Sequence, residues 1–173
     1  MPRMLEMFSK TAALCAAAAA AGAAGPAAAA PSEGGQAPVP AGYDAVFLPG
    51  TPNPYNKYFT GQSYLQPIIK DGVPTFNVTF EPGCRNFWHI HNAKKGGGQI
   101  LLAVAGRGWY QEEGKPAREL KKGDAVYIAP GVKHWHGAAR DSWFTHIAME
   151  VPGEGGSTTW CEPVSDEEYG KLP

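Results

Sequence analysis

The stretch Trp88-His89-Ile90-His91, answered further along by Pro130-Gly131-Val132-Lys133-His134-Trp135-His136, decides how this chain folds and what it can hold. Side chains two apart on a strand share one face, so His89 and His91 point the same way and Ile90 points the other. Gln99 opens the next strand after the Gly-rich loop Lys94-Lys95-Gly96-Gly97-Gly98, and His134 opens another after the turn Pro130-Gly131. Three imidazoles and one side-chain carbonyl from three strands can then meet at one point. All five histidines lie between positions 89 and 146, a clustering that single structural histidines do not produce.

Working outward, the segments around this stretch are short runs of β-branched and aromatic residues cut by Gly and Pro. They cover residues 64 to 69, 75 to 80, 88 to 91, 99 to 105, 108 to 111, 125 to 128, 134 to 138, 145 to 151 and 159 to 162. Nothing of helical period and ten or more residues intervenes, so the reading is all-β, an antiparallel sandwich or barrel. One short helix is expected at the end: Ser165 with Glu168 forms a capping box, and the helix would run to about Lys171.

The motif spacing resembles the cupin superfamily. Gly83, His89-Ile90-His91, Gln99 and Gly106 look like its first motif; Gly123-Asp124, Pro130-Gly131 and His134 look like its second. Two departures stand out: Gln99 occupies the usual place of a Glu, and the loop between His91 and Gln99 is longer than usual. More narrowly, Phe80-Glu81-Pro82-Gly83, Gly106-Arg107-Gly108-Trp109, His134-Trp135-His136-Gly137-Ala138, Thr145-His146-Ile147-Ala148 and Pro163-Val164-Ser165-Asp166-Glu167-Glu168-Tyr169 are similar to one subgroup. It contains carboxymuconolactone-decarboxylase-like cupins and manganese-dependent bacterial hydroxynitrile lyases. The resemblance spans roughly residues 57 to 172 and implies a double-stranded β-helix, the jelly-roll barrel, closed by a short C-terminal helix. It also implies a homodimer formed through an edge strand.

The expected metal ligands are His89, His91, Gln99 and His134, holding one divalent transition metal. Imidazole accepts Mn(II), Fe(II), Ni(II) and Zn(II), and an amide oxygen favours the harder ions; the resemblance puts Mn(II) first. Neutral ligands leave the ion its full double charge, which would polarise a bound oxygen. His136 shares a face with His134 and competes with it as a ligand, or sits against the substrate. The alternation His146, Ala148, Glu150 places three more side chains on one face. The resemblance implies that His146 stands beside the metal as a general base, since imidazole ordinarily titrates near neutrality; a buried structural histidine satisfies the same pattern. Glu150 is the second candidate catalytic residue. Phe76, Val78, His136 and Ala148 are expected pocket walls.

Thr11 to Ala24, almost wholly Ala, behind Arg3 and Lys10 and ahead of a Gly-Pro break, reads as a signal peptide or leader over 1–30. Residues 31–56 read as linker and edge segment, and 57–173 as the barrel domain, exported to the periplasm or secreted. A formal charge of -1 with no Lys/Arg run excludes nucleic acid as a partner, and no stretch is apolar and long enough to span a membrane. The functional expectation is a metal-dependent lyase, hydroxynitrile-lyase-like or decarboxylase-like, acting on a small oxygenated substrate. An Fe(II) dioxygenase-type oxidoreductase and a non-enzymatic extracytoplasmic binder of a metal or small ligand use the same site.

Overall fold

The computed structural model describes residues 35–173; the stretch 1–30, expected from sequence to be a signal peptide or leader, lies outside them. Nine principal strands carry the architecture: β1 Ser63–Ile69, β2 Thr75–Phe80, β3 His89–Asn92, β4 Gln99–Glu112, β5 Arg118–Lys121, β6 Ala125–Ile128, β7 Lys133–Ala138, β8 Phe144–Glu150 and β9 Ser157–Trp160. They form two antiparallel sheets that share the long strand β4. Its first half lies between β8 and β6 in the order β1-β2-β8-β4-β6. Its second half lies between β5 and β7 in the order β5-β4-β7-β3-β9. This is the jelly-roll barrel, with almost no helix.

Where the sequence suggests two strands, over 99 to 105 and 108 to 111, the chain runs one continuous strand bent at Gly106. Gly106 has φ +68, and a Cβ there would fall 1.8 Å from the Trp143 carbonyl oxygen, so only glycine lets β4 cross from one sheet to the other. A bulge lies beside the bend: Thr145 pairs with Ala105 but His146 pairs with Ala103, leaving Val104 as the extra residue. An inserted residue moves every later pair by one. His146, Ala148 and Glu150 therefore face Ala103, Leu101 and Gln99.

Two clusters hold the barrel. Phe80, Leu101, Leu120, Ile128 and Phe144 are among the residues filling its interior; Trp88, Trp109, Trp135, Val164 and Tyr169 form a second cluster, with Trp135 and Trp109 on the face of β7 and β4 turned away from His134 and His136. Hydrophobic burial is the main force in both. The C-terminal helix Asp166–Gly170 belongs to the second cluster. Its N-cap is Ser165, whose side chain accepts a hydrogen bond from the Glu168 backbone N–H, as the capping box requires. Arg85, itself buried, ties the helix down through the Val164 carbonyl, the Asp166 carboxylate and the Tyr169 ring face.

The segment before the barrel does more than link. Tyr43 Oη lies 2.8 Å from Thr145 Oγ1, and Asn77 Nδ2 donates to the Leu48 carbonyl at 3.0 Å. Thr51–Pro52 adds a two-residue strand to β1. This arm covers the outer face of β2 and β8, where the buried polar residues Asn77, Thr79 and Thr145 need partners. Among the described residues no helix is long and apolar enough to cross a membrane.

Candidate functional site

Strand pairing brings the expected residues to one end of the barrel. His89 stands opposite His134 across β3 and β7, and Gln99 stands opposite Glu150 across β4 and β8. Directly opposed side chains lie on the same face. The His89 ring centroid is 4.1 Å from that of His134 and 5.1 Å from that of His91, with His91 and His134 5.4 Å apart. His89, His91, Gln99 and His134 are buried, and Glu150 is partly exposed.

Hydrogen bonding fixes which ring nitrogens keep a lone pair. His89 Nδ1 lies 2.9 Å from the Phe87 carbonyl and His134 Nδ1 lies 3.0 Å from the Val132 carbonyl. A carbonyl only accepts, so each Nδ1 carries the proton and each Nε2 keeps its lone pair. His91 Nδ1 faces Thr158 Oγ1 at 3.3 Å and Glu150 Oε2 at 3.5 Å. Gln99 Nε2 donates to Glu150 Oε1 at 2.7 Å. What remains is His91 Nε2, His134 Nε2 and Gln99 Oε1, three buried lone-pair atoms without a hydrogen-bond partner among the described residues. Buried acceptors are seldom left so, and this donor set suits a divalent cation.

His136 extends the cluster downward. Its ring nitrogens and those of His89 and His134 all lie within 4.8 Å of one another, so these three histidines could hold a metal ion. His136 is however engaged elsewhere. Asn86 Oδ1 accepts its backbone N–H at 2.9 Å, which turns Asn86 Nδ2 toward the ring, 3.0 Å from Nε2. His136 Nδ1 lies 3.1 Å from His146 Nε2. With Nε2 accepting from Asn86, Nδ1 is the donor and His146 accepts.

His146 is wholly buried beside the Phe80 and Phe144 rings. Val78 is opposite it on β2 and Phe76 is opposite Ala148, so the expected pocket walls share its face. Burial pulls its pKa down to about 3. The near-neutral titration expected from sequence does not survive this burial, because an imidazolium there loses its hydration. Burial likewise lowers His134 to about 4, and lowers His89, His91 and His136. The positive charges of neighbouring imidazoles add to the effect at His89 and His136.

A stability consequence follows from the sign of these shifts. Unfolded histidine binds a proton near pH 6.5, whereas these folded ones bind it only at lower pH. The unfolded chain therefore holds more protons throughout that interval, and stability falls as pH falls. Each such histidine costs about 1.4 kcal/mol per pH unit, against a total stability of about 5–15 kcal/mol for a domain. Metal-stripped protein is expected to lose its cooperative fold between about pH 6 and 4, followed by far-ultraviolet circular dichroism. A flat signal down to pH 4 would contradict this.

Three neighbours had no role in the sequence reading. Asn86 orients His136, Thr158 meets His91, and Trp160 lies 4.9 Å, centroid to centroid, from His89 while stacking on Tyr58. The alternation along β9 marks Thr158 and Trp160 as sharing a face; only the pairing of β9 with β3 says which face it meets. Beside the site, between β5 and β6, a cavity of about 320 Å³ is lined by Tyr110, Glu112, Lys115, Arg118 and Tyr127 among others.

The chain is similar to known proteins. The family profile described as Cupin domain matches residues 76–145. The (R)-mandelonitrile lyase of Granulicella tundricola is 41% identical over 116 residues, covering 65% of this chain and 86% of that enzyme. A cupin-like protein of Thermotoga maritima has a crystal structure that superposes with a TM-score of 0.65 at 41% identity, covering 74% of this chain and 96% of that one.

Proposed function

Since the chain belongs to the cupin family, whose barrel here ends in a cluster of open imidazole and amide atoms, we propose that it is a metal-dependent lyase. Its substrate would be a small α-hydroxy compound, with a cyanohydrin the first to test. The observation that carries the reading is the trio His91 Nε2, His134 Nε2 and Gln99 Oε1, buried and without donors. With His89 they would hold one divalent cation, Mn(II) first among the candidates. The ion would supply Lewis-acid polarisation of a substrate oxygen.

The remaining work falls to the chain. His146 is neutral at physiological pH and shares a face with Val78, Phe76 and Ala148. It would take up a proton by relay: the substrate hydroxyl proton would enter at His136 Nε2, in place of the Asn86 hydrogen bond, as the His136 Nδ1 proton passes to His146 Nε2. The carbon–cyanide bond would break with its pair leaving on cyanide and the carbonyl forming behind it. A proton returned along the same relay to cyanide gives hydrogen cyanide, so both imidazoles end as they began. His136, 3.1 Å away, would share the charge while the proton resides there, which offsets the cost of charging a buried ring. Trp160 and Tyr58, stacked beside His89, would offer an aromatic substituent a flat apolar surface. Likeness to a mandelonitrile lyase supports an aromatic cyanohydrin as the probe.

The test is release of benzaldehyde from (R)-mandelonitrile by protein loaded with Mn(II), run with and without oxygen. Equal rates in both are expected. Turnover that requires oxygen would replace the lyase with an oxidoreductase, and no turnover on any α-hydroxy or carboxylate substrate would leave a binding protein.

A further inference from the structure

Glu150 reaches none of the open lone pairs, yet each of its oxygens meets a residue that carries one. Oε1 accepts from Gln99 Nε2 at 2.7 Å, and Oε2 lies 3.5 Å from His91 Nδ1. We propose that Glu150 is a positioning residue: a single carboxylate that turns the Gln99 carbonyl and the His91 Nε2 lone pair toward the metal. The inference rests on the ligand set proposed above.

An amide presents oxygen and NH2 groups of similar size, but only the oxygen can hold a cation. A carboxylate accepts hydrogen bonds and does not donate them, so beside Glu150 the Gln99 NH2 must turn inward to the carboxylate and the oxygen must turn away. That oxygen is one of the buried atoms without a donor. The same logic fixes His91: an acceptor at Nδ1 holds the proton there and leaves Nε2 open, and Thr158 Oγ1 at 3.3 Å can serve as a second acceptor. Carboxylates placed behind metal-binding histidines orient the ring and raise its basicity; here one carboxylate serves two ligands at once.

Register makes this contact possible. Glu150 stands directly opposite Gln99, and it does so because Val104 bulges out of β4. Without the bulge, the pairing of Phe144 with Gly106 would continue to Glu150 with Ile100, and Gln99 would have no carboxylate across from it. Glu150 is also the partly open member of the group, its side chain 31% exposed, while Gln99 and His91 are buried. A divalent ion among neutral ligands beside this carboxylate leaves about one net positive charge, which one anionic substrate oxygen would neutralise.

Co(II) serves as the probe, added to the metal-stripped full chain, with affinity measured by chelator competition and geometry by visible absorption. Glu150→Gln is expected to weaken Co(II) binding by about 10–100-fold and to change the visible bands, with the thermal midpoint of the metal-free protein unchanged. The loss should be smaller in a Gln99→Ala background, where one of the two oriented groups is gone. Should Glu150→Gln fail to fold, Glu150→Asp keeps the charge but shortens the reach, and is expected to weaken binding with the fold intact. Wild-type affinity and spectrum in Glu150→Gln, or in Glu150→Asp where that variant stands in for it, together with loss of Co(II) from His134→Ala, would overturn the positioning role and leave the ligand set standing. A loss that adds fully to that of Gln99→Ala would overturn the role as well. Retention of Co(II) by His134→Ala would instead bring down the ligand set.

Discussion

His134→Ala is expected to leave a folded protein that no longer retains a divalent metal through chelation and dialysis, its affinity down by more than about 100-fold. Changes one step removed from a metal already cost 10–100-fold, and this one removes a ligand. The His134 ring donates to the Val132 carbonyl and keeps an open Nε2, with no exposed surface through which water could readily take its place. Elemental analysis gives the result directly, with one metal per chain in the wild type and none in the variant. The same measurement separates the two histidine sets present in the barrel. If the ions sit on His89, His91, Gln99 and His134, then His91→Ala loses metal and His136→Ala keeps it. The reverse pair of results would move the centre to His89, His134 and His136, the group whose nitrogens lie closest. Asn86 argues against that, because its amide already occupies the His136 lone pair.

His146→Ala is expected to keep metal at one per chain while turnover in the lyase assay falls by about 100-fold or more, the usual weight of general acid–base catalysis. Its ring touches the cluster through His136 and lies on the face of Val78 and Ala148, so its loss removes a proton acceptor and no ligand. Because burial lowers its pKa to about 3, the wild-type rate is not expected to show a limb near neutrality arising from this group. Acid loss of activity should instead follow unfolding of the metal-stripped form. A variant that loses its metal would make His146 a ligand. A variant that keeps both metal and full rate would place the base elsewhere, with His136 next in line.

Much of this was legible beforehand because strands obey a period of two. His89 with His91, and His146 with Ala148 and Glu150, share faces on any flat strand, and turn residues punctuate the runs between them. The C-terminal helix announced itself through Ser165 and Glu168 for an equally local reason, a hydrogen bond between residues three apart. The order of the sheets was not local and came through resemblance.

Local pattern could not reach the contacts that couple these strands. Sequence alone determined the all-β class, the clustered imidazoles and the shared face of His146, Ala148 and Glu150, since each depends on patterns within short stretches of chain. Only the tertiary structure decided that Val104 bulges, that Glu150 thereby meets Gln99, and that Asn86, Thr158 and Trp160 join the site. It also decided how far burial depresses the histidines. The physical reason is the same in each case: register and desolvation are properties of paired strands and enclosed volume, set by residues far apart in the chain.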